Sequence, residues 1–388
     1  MSGDRANLVQ ELSVKEPAVI AIDQRLYQLV SNIDILGSVK PINYQQQKKL
    51  FFEKHYSCAP QFLYKENHEN VFLSKRELFN LPLENLRDAD LYKLYLDTVN
   101  SYVDKIDQFN SIGSEDFLYN SLRYYGEPSE KDIRNAHFIL HIPDNVESNH
   151  EEMLDAKAIH RIMDEMAVKE KYTWTVAFDD SMIANALVSG TKVSINTHAK
   201  IAKTEAMALA HHELGVHLVT SLNSNTQPLH ILTMGCPLNT LTQEGLAILS
   251  ENLAGHLTVN RMKILALRVL AVKSMIDDKD FRRTFLMLKE EHLVSDETAF
   301  TITARVFRGG GFTKDYLYLQ GLHLMLNAYE SEADFKLLLA GKTSIDYLPI
   351  IKRLIEKQIL IGPQYITPAF SHPTENDSVR QFITHAIR

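Results

Sequence analysis

The 388-residue sequence contains only two cysteines, Cys58 and Cys236, and we therefore expect no disulfide framework. No stretch of about 18 residues is free of charge, and the first residues contain no apolar segment of the kind found in signal peptides. These absences predict a cytoplasmic, reducing location and no membrane partner. Positive charge is also scarce, since the net charge is −8, which argues against a nucleic-acid partner because such proteins normally present a basic surface.

What the sequence does contain is typical of a soluble globular protein, with 45% apolar and 23% charged residues. A chain of this length can bury a large core in one domain or in two. Helical periodicity, for example in residues 18–35 and 43–56, predicts a helical N-terminal region over residues 1–135. Residues 136–388 form the second predicted unit, which carries the side chains with recognisable chemistry.

Short segments rich in apolar and β-branched residues predict strands. They are residues 136–142, 172–178 and 186–196, and the last contains the turn-like pair Ser189-Gly190. Helical patterns dominate from residue 244 onward. The predicted fold class is therefore mostly α (α+β), with one small antiparallel β-sheet that precedes a histidine-bearing helix.

That helix covers residues 206–220 and is largely apolar apart from His211, His212, Glu213 and His217. Burying imidazole and carboxylate groups without partners costs on the order of 1–3 kcal/mol for each group. A divalent metal ion satisfies such groups together. We therefore interpret His-Glu-x-x-x-His, from residue 212 to residue 217, as the core of a metal site.

The spacing of this motif differs from that of the usual zinc-protease helix. There, two histidines four residues apart lie about 40° apart around the helix. Five residues correspond to about 140° on a regular α-helix, which would separate His212 from His217. For both rings to reach one ion the helix must be widened locally, and we therefore predict a π-type turn in which Gly215 eases the distortion.

A third ligand is required, and Glu244, at the start of the next helix with apolar periodicity, is the best candidate. Two histidines, a glutamate and an open position form a catalytic rather than a structural zinc sphere. In this interpretation Glu213 is not a ligand but the general base beside the ion, and the chain binds one Zn²⁺. The alternative is a satisfied histidine pair in the core, with Glu244 complementing the dipole of its helix.

The sequence also resembles a known family through four motifs, which occur in the order HELGVH (212–217), QEGLA (243–247), RVFRGG (305–310) and FTKDYLYLQG (312–321). They are similar to motifs of the bacterial QEGLA-motif proteins and of their eukaryotic relatives, the microtubule-associated tyrosine carboxypeptidases. The resemblance implies a helical zinc-peptidase-like domain that uses Zn²⁺ to remove a C-terminal residue. Its substrate is then the C-terminus of a peptide or protein.

Three cations after residue 300 are candidates for binding the carboxylate of such a terminus. Arg305 and Arg308 are three residues apart on one helical face, and the glycines at 309–311 separate them from Lys314 in the first turn of another helix. Cations, backbone N–H groups and a helix dipole together favour an anion. With the resemblance, we expect these three residues to bind the terminal carboxylate; the alternative is surface ion pairing around a glycine loop.

Supporting roles are expected for a further set of residues. Tyr318, in the last motif, is expected to donate a hydrogen bond to the oxyanion that forms during hydrolysis, with His230 and His323 as alternatives. Glu251 lies seven residues after the third ligand, close to two helical turns, and is placed to accept the spare N–H of a ligand histidine. His211 lies about 100° around the helix from the adjacent ligand and is expected to support it or to pack in the core.

Three classes of function agree with these observations. The favoured class is a zinc-dependent carboxypeptidase with Glu213 as general base. The others are a non-hydrolytic metal-binding regulatory or interaction protein and a zinc amidase that acts on a small molecule. The two enzymes require Glu213, whereas the regulatory protein does not. Products from peptides with free and amidated C-termini separate the carboxypeptidase from the amidase.

Overall fold

The computed structural model describes residues 2–66, 70–143 and 152–375, together with Thr384 and Ala386. Helices dominate these residues, and short strands occur only in the middle of the described chain. The predicted mostly α (α+β) class is confirmed. None of the described helices is long and apolar enough to cross a membrane.

The described residues before the strands form helices α1 (Ser2–Lys15), α2 (Val19–Val30), α3 (Ile35–Ser38), α4 (Tyr44–Glu53), α5 (Val71–Phe79), α6 (Ala89–Asn110), α7 (Asp116–Tyr125) and α8 (Glu130–Leu140). In α6, apolar residues recur every three or four positions, so that Leu91 and Tyr95 are buried on one face. The carboxylate of Asp88 caps this helix by accepting the N–H groups of Asp90 and Leu91.

Helix α8 replaces a predicted strand. Its residues Ala136 and Ile139 are buried three positions apart, as on one face of a helix. A capping box starts it, since the Ser129 hydroxyl accepts the N–H of Asp132 and the Asp132 carboxylate accepts the N–H of Ser129. The strand prediction for residues 136–142 was wrong, because a short apolar run suits either structure and the Ser-x-x-Asp start favours a helix.

Five short strands in the described chain form two small sheets next to α9 (Ala156–Glu170). They are β1 (Met153–Asp155), β2 (Thr175–Asp179), β3 (Ala186–Ser189), β4 (Lys192–Asn196) and β5 (Lys200–Ala202). β1 pairs with β5 in antiparallel fashion, whereas the second sheet has the order β2-β4-β3. In it β4 is antiparallel to β3 but parallel to β2, which differs from the predicted single antiparallel sheet. This order leaves β3 at an edge.

The later helices are α10 (Lys203–His212), α11 (Val219–Thr226), α12 (Ile231–Met234), α13 (Asn239–Leu253), α14 (Val259–Asp278), α15 (Phe281–Leu286), α16 (Asp296–Phe307), α17 (Leu317–Ser331), α18 (Leu348–Glu356) and α19 (Pro368–Ser371). α13 and α17 cross at Gly245 and Gly321, where a Cβ on Gly245 would lie 2.3 Å from the Gly321 carbonyl oxygen. Only glycine permits this approach, which holds Glu244 close to the start of α17.

Two large apolar clusters hold these elements together. The first contains residues of β3, β4, α10, α13, α14, α16 and α17 and surrounds the histidine-bearing segment. The second joins α2, α5 and α6 to α12 and α18, so that the N-terminal helices share a core with elements from the end of the described chain. The predicted division of the chain after residue 135 falls within α8 and stays a prediction.

Candidate metal centre and substrate cleft

His212 ends α10, and His217 lies in a π-helical turn, Glu213–Leu218, that leads directly into α11. The widened turn brings the two rings together, with centroids 5.0 Å apart. The π-type turn predicted from the five-residue spacing is therefore confirmed. Gly215 lies in this turn, where the Ser250 hydroxyl oxygen of α13 would lie 3.2 Å from an added Cβ, so the turn packs tightly against α13.

Glu244, in the second turn of α13, completes a cluster with the two histidines. Its Oε2 lies 3.6 Å from His212 Nε2 and 3.7 Å from His217 Nε2. Among the described residues, these three form the group whose donor atoms all lie within 4.8 Å of one another. Ligands of one tetrahedral Zn²⁺ lie about 3.3–3.6 Å apart, so the two distances to Glu244 are close to those of ligands that share one ion. Glu244 Oε2 is buried without a hydrogen-bond partner, which a metal bond would supply.

A carboxylate behind the cluster orients the His212 ring. Glu251 Oε1 lies 2.7 Å from His212 Nδ1, so Nδ1 carries the proton and Nε2 is turned toward Glu244. Arg261 donates two hydrogen bonds to the same carboxylate, at 3.0 and 3.1 Å. Burial opposes the ionisation of Glu251, but the Arg261 charge and the His212 hydrogen bond prevail and lower its pKa to about 2. A charged carboxylate thus holds His212 in the orientation of a metal-ligating imidazole.

The Lys314 side chain contacts the cluster and does not project freely into the cleft. Its Nζ lies 2.6 Å from Glu244 Oε1 and 2.8 Å from the Tyr318 hydroxyl. Burial opposes the ionisation of Glu244, but the Lys314 charge holds the pKa of this carboxyl well below its usual value. The Tyr318 ring is stacked 6.5 Å from that of His212, with 17° between the planes. Lys314 is thus engaged with a candidate ligand, and its expected role in binding the terminal carboxylate stays a prediction.

Glu213 lines the same cleft, and its buried Oε2 has no hydrogen-bond partner in the part of the chain that the structure describes. His211 does not line the cleft, and its ring lies 5.7 Å from that of His256. Burial and the nearby His256 lower the pKa of His211 to about 4, so His211 is neutral and packs away from the candidate ligands. His230 and His323, the alternative oxyanion donors, also lie outside the residues that line the cleft.

The arginines near the cluster differ in how far their guanidinium groups are already paired. Arg305 forms a buried bidentate ion pair with Asp315, at 2.5 and 3.0 Å. The Arg308 guanidinium lies 4.9 Å from the centroid of the Phe312 ring, and its Nε has no hydrogen-bond partner. Arg268 of α14, absent from the sequence-based prediction, also lines the cleft; its Nε lies 3.9 Å from Asp315 Oδ2 and has no hydrogen-bond partner among the described residues. Burial and the Arg305 charge lower the pKa of Arg268 to about 9 and also lower that of Arg308. Both groups would therefore gain from an anionic ligand.

The three candidate ligands, Glu213, Lys314, Tyr318 and the three arginines Arg268, Arg305 and Arg308 line one cleft of about 380 Å³, and residues 182–188 form one of its sides. Asn196 donates its N–H to the Asn185 carbonyl at 2.9 Å, at the end of the β3–β4 pair. Because hydrogen-bonded and non-bonded pairs alternate in antiparallel strands, the backbone groups of Ala186 and Val188 point away from β4. With respect to the described strands, β3 thus presents a free edge beside the candidate ligands.

The comparison with known families defines the class of the protein as a peptidase-type hydrolase. The model of one family, described as microtubule-associated tyrosine carboxypeptidase, matches residues 49–388. The chain belongs to this family, as its four motifs predicted, and it is therefore a carboxypeptidase-type enzyme with a peptide or protein substrate. A comparison with curated proteins finds no match.

Proposed function

We propose that the protein is a zinc-dependent carboxypeptidase, with the ion held by His212, His217 and Glu244. The observation that carries this proposal is the triangle of two Nε2 atoms and Glu244 Oε2, with sides to the carboxylate of 3.6 and 3.7 Å. Lys314 donates a hydrogen bond to Glu244 Oε1, which leaves Oε2 as the oxygen of this carboxylate that can bind a metal ion. Two histidines and one glutamate are the ligand set of catalytic zinc sites in peptidases.

Glu213 is the general base in this proposal. Zinc, when bound, supplies Lewis-acid polarisation of the scissile carbonyl and of the attacking water. Glu213 removes a proton from that water, the water oxygen bonds to the carbonyl carbon, and the C–N bond then breaks. The same carboxyl delivers the proton to the leaving amine. Its buried Oε2, which has no hydrogen-bond partner, is free for this transfer.

Tyr318 is suited to stabilise the oxyanion. An ammonium group only donates hydrogen bonds, so the Tyr318 oxygen accepts the bond from Lys314 and keeps its own O–H for another acceptor. We assign this O–H to the oxygen of the scissile carbonyl, where negative charge develops during attack. Lys314 then has a positioning role, because it holds both Glu244 and Tyr318.

The free edge of β3 is suited to hold the substrate main chain. An extended peptide that adds as an antiparallel strand would bond to the outward backbone groups of Ala186 and Val188. Its C-terminal end would then point toward the start of β3, next to residues 182–185. This arrangement places the peptide along a side of the cleft that also contains the candidate ligands.

Arg308 and Arg268 are the best candidates to bind the terminal carboxylate. Arg305 and Lys314, which the sequence also suggested, are already paired with Asp315 and Glu244. Arg308 and Arg268 each line the cleft, and neither buried Nε has a hydrogen-bond partner among the described residues, while Arg268 Nε lies 3.9 Å from Asp315 Oδ2. A carboxylate would supply the missing hydrogen-bond acceptor and a further counter-charge.

Product analysis tests this function. The zinc-loaded protein is incubated with a peptide that has a free C-terminal carboxylate and with its amidated form, and mass spectrometry identifies the products. We expect loss of one residue from the free acid and none from the amide. Arg308→Met should lower kcat/KM for the free acid by about 10- to 150-fold, because a charge-assisted hydrogen bond contributes about 1.5–3 kcal/mol. Arg134→Met, which affects an exposed arginine outside the cleft, should change nothing.

Other outcomes favour the alternative functions. Stoichiometric zinc without cleavage of any peptide would indicate a metal-binding protein that does not hydrolyse peptides. Cleavage of small amides but of no peptide would indicate an amidase. An unchanged kcat/KM for the free acid after Arg308→Met would remove the assigned carboxylate site.

A further inference from the structure

One wall of the cleft comes from a segment that precedes the matched family region, which begins at residue 49. Leu36 of α3 and Lys40, just after this helix, both line the cleft. Their neighbours Ile35 and Val39 are buried in an apolar cluster that contains Phe312. The segment is therefore anchored in the core beside the cleft.

Lys40 ties this segment to the β2–β3 connection. Its Nζ lies 2.5 Å from Asp179 Oδ2 at the end of β2. Asp179 is itself fixed, because its other oxygen accepts hydrogen bonds from the N–H and the hydroxyl of Ser181, at 2.9 and 2.6 Å. Residues 182–185, which follow, line the cleft. The ion pair thus joins residues 34–40 to residues 179–185, and we call these two segments together the cleft strap.

Two observations place the cleft strap near the expected position of the terminal carboxylate. Phe312, whose ring lies 4.9 Å from the Arg308 guanidinium, packs in the same cluster as Ile35 and Val39. Residues 182–185 immediately precede β3, and the C-terminal end of an antiparallel peptide would point toward them. Both segments of the cleft strap therefore lie at the end of the cleft toward which the substrate chain runs.

We propose that the cleft strap closes the cleft beyond the last residue of the substrate and thereby makes the enzyme an exopeptidase. The proposal rests on the proposed function. A chain that continued past the terminal residue would meet Leu36 and the Lys40–Asp179 pair instead of solvent. The specificity for a single C-terminal residue would then depend on a segment outside the matched family region.

The test opens the strap with one substitution and compares it with a matched control. Lys40→Met removes the ion pair while keeping a side chain of similar length. Lys75→Met removes an ion pair with Asp107 that lies outside the cleft. The side chains are 27% and 32% exposed in the strap pair and 23% and 25% exposed in the control pair, so the two losses are comparable.

The first readout requires no peptidase activity. Ala184→Cys places a thiol in the cleft wall of a full-length protein that also carries Cys58→Ser, while the native Cys236 is buried. Lys40→Met should increase the rate of maleimide labelling by about 1.5- to 5-fold, the range expected for loss of a partly exposed ion pair. Lys75→Met should leave the rate unchanged. Equal rates with and without Lys40→Met would overturn the closing role of the strap.

The second readout is the product pattern on a peptide with a free C-terminus. The wild-type protein should release single residues, and Lys40→Met should release dipeptides as well, whereas Lys75→Met should not. Faster labelling with an unchanged product pattern would overturn the role in specificity and leave the proposed function intact. If the wild-type protein cleaves no peptide, the proposed function fails and the exopeptidase role fails with it, while labelling still decides whether the strap closes the cleft.

Discussion

The orientation of the His212 ring depends on residues that lie far from it in the sequence. Glu251 lies 2.7 Å from His212 Nδ1, and Arg261 holds the same carboxylate from α14. Glu251 could be selected from its seven-residue spacing to Glu244. Arg261 could not, because its contact depends on how α14 packs against α13, and local spacing does not encode that packing.

Replacing Glu251 tests this support directly. Glu251→Gln keeps the size of the side chain but removes the charge that orients His212 and raises its basicity. We expect zinc affinity to fall by about 10- to 100-fold, as is typical for partners of metal-bound histidines. Competition with a chelator measures the change, with Glu290→Gln on the exposed surface as control. Unchanged affinity would show that the carboxylate does not act through the ligand.

The positively charged residues of the cleft show which contacts of the site could not be predicted from the sequence. Arg305, Arg308 and Lys314 were selected together as an anion site, yet the structure pairs Arg305 and Lys314 with buried carboxylates. The sequence contains many acidic residues, and it does not indicate which of them pair with these cations. Arg268 lies seven residues after Arg261, two turns along the same face of α14, and this spacing was the one available signal for it.

At the level of elements, the crossing of α13 and α17 positions both Glu244 and Tyr318. Gly245→Ala would place a Cβ 2.3 Å from the backbone oxygen of Gly321, so the helices must separate. We expect a loss of about 1–3 kcal/mol of stability or more, together with weaker zinc binding. Thermal unfolding and chelator competition measure the two effects. Gly362→Ala, where no atom lies within 4 Å of the added Cβ, is the control, and equal melting temperatures for both variants would contradict this account.

The elements differ in how far local sequence determines them. The π turn at Glu213–Leu218 could be predicted because two ligands five residues apart cannot otherwise meet at one ion. The helix α8 was missed because its apolar run is short, and the parallel pairing of β2 with β4 was missed because strand order is a long-range property. The requirement that two ligands meet at one ion therefore predicted the local structure of the site, whereas the apolar pattern did not predict how the strands pair.

At the level of the whole molecule, ion pairs join the N-terminal helices to the end of the described chain. Asp90 of α6 accepts hydrogen bonds from Arg353 and Lys357, at 2.6 and 2.9 Å. The Arg353 hydrogen bond is the main cause that lowers the pKa of Asp90 to about 2. Because the pKa is lowered in the folded state, the pair stabilises the fold above about pH 4 and loses this effect as the pH falls from about 4 to about 2.

Asp90→Asn should therefore destabilise the protein in a pH-dependent way. We expect a loss of about 0.2–1 kcal/mol at neutral pH, the range for exposed ion pairs, and a much smaller difference from the wild type near pH 2, where the pKa of Asp90 lies. Urea denaturation at both pH values measures this. A difference that is the same at both pH values would contradict the assigned cause. Such contacts between distant segments could not be predicted, since neither segment carries a local signal for its partner.

The central claim is that Glu213 acts as a base beside a zinc ion held by its neighbours, and turnover by Glu213→Gln at equal zinc content tests it most directly. Glu213 is not one of the proposed ligands and the substitution keeps the size of its side chain, so zinc content and melting temperature should match the wild type. Release of the terminal residue should fall by about 10²- to 10⁴-fold, the usual contribution of a general base. Wild-type turnover by a zinc-loaded Glu213→Gln protein would contradict the account.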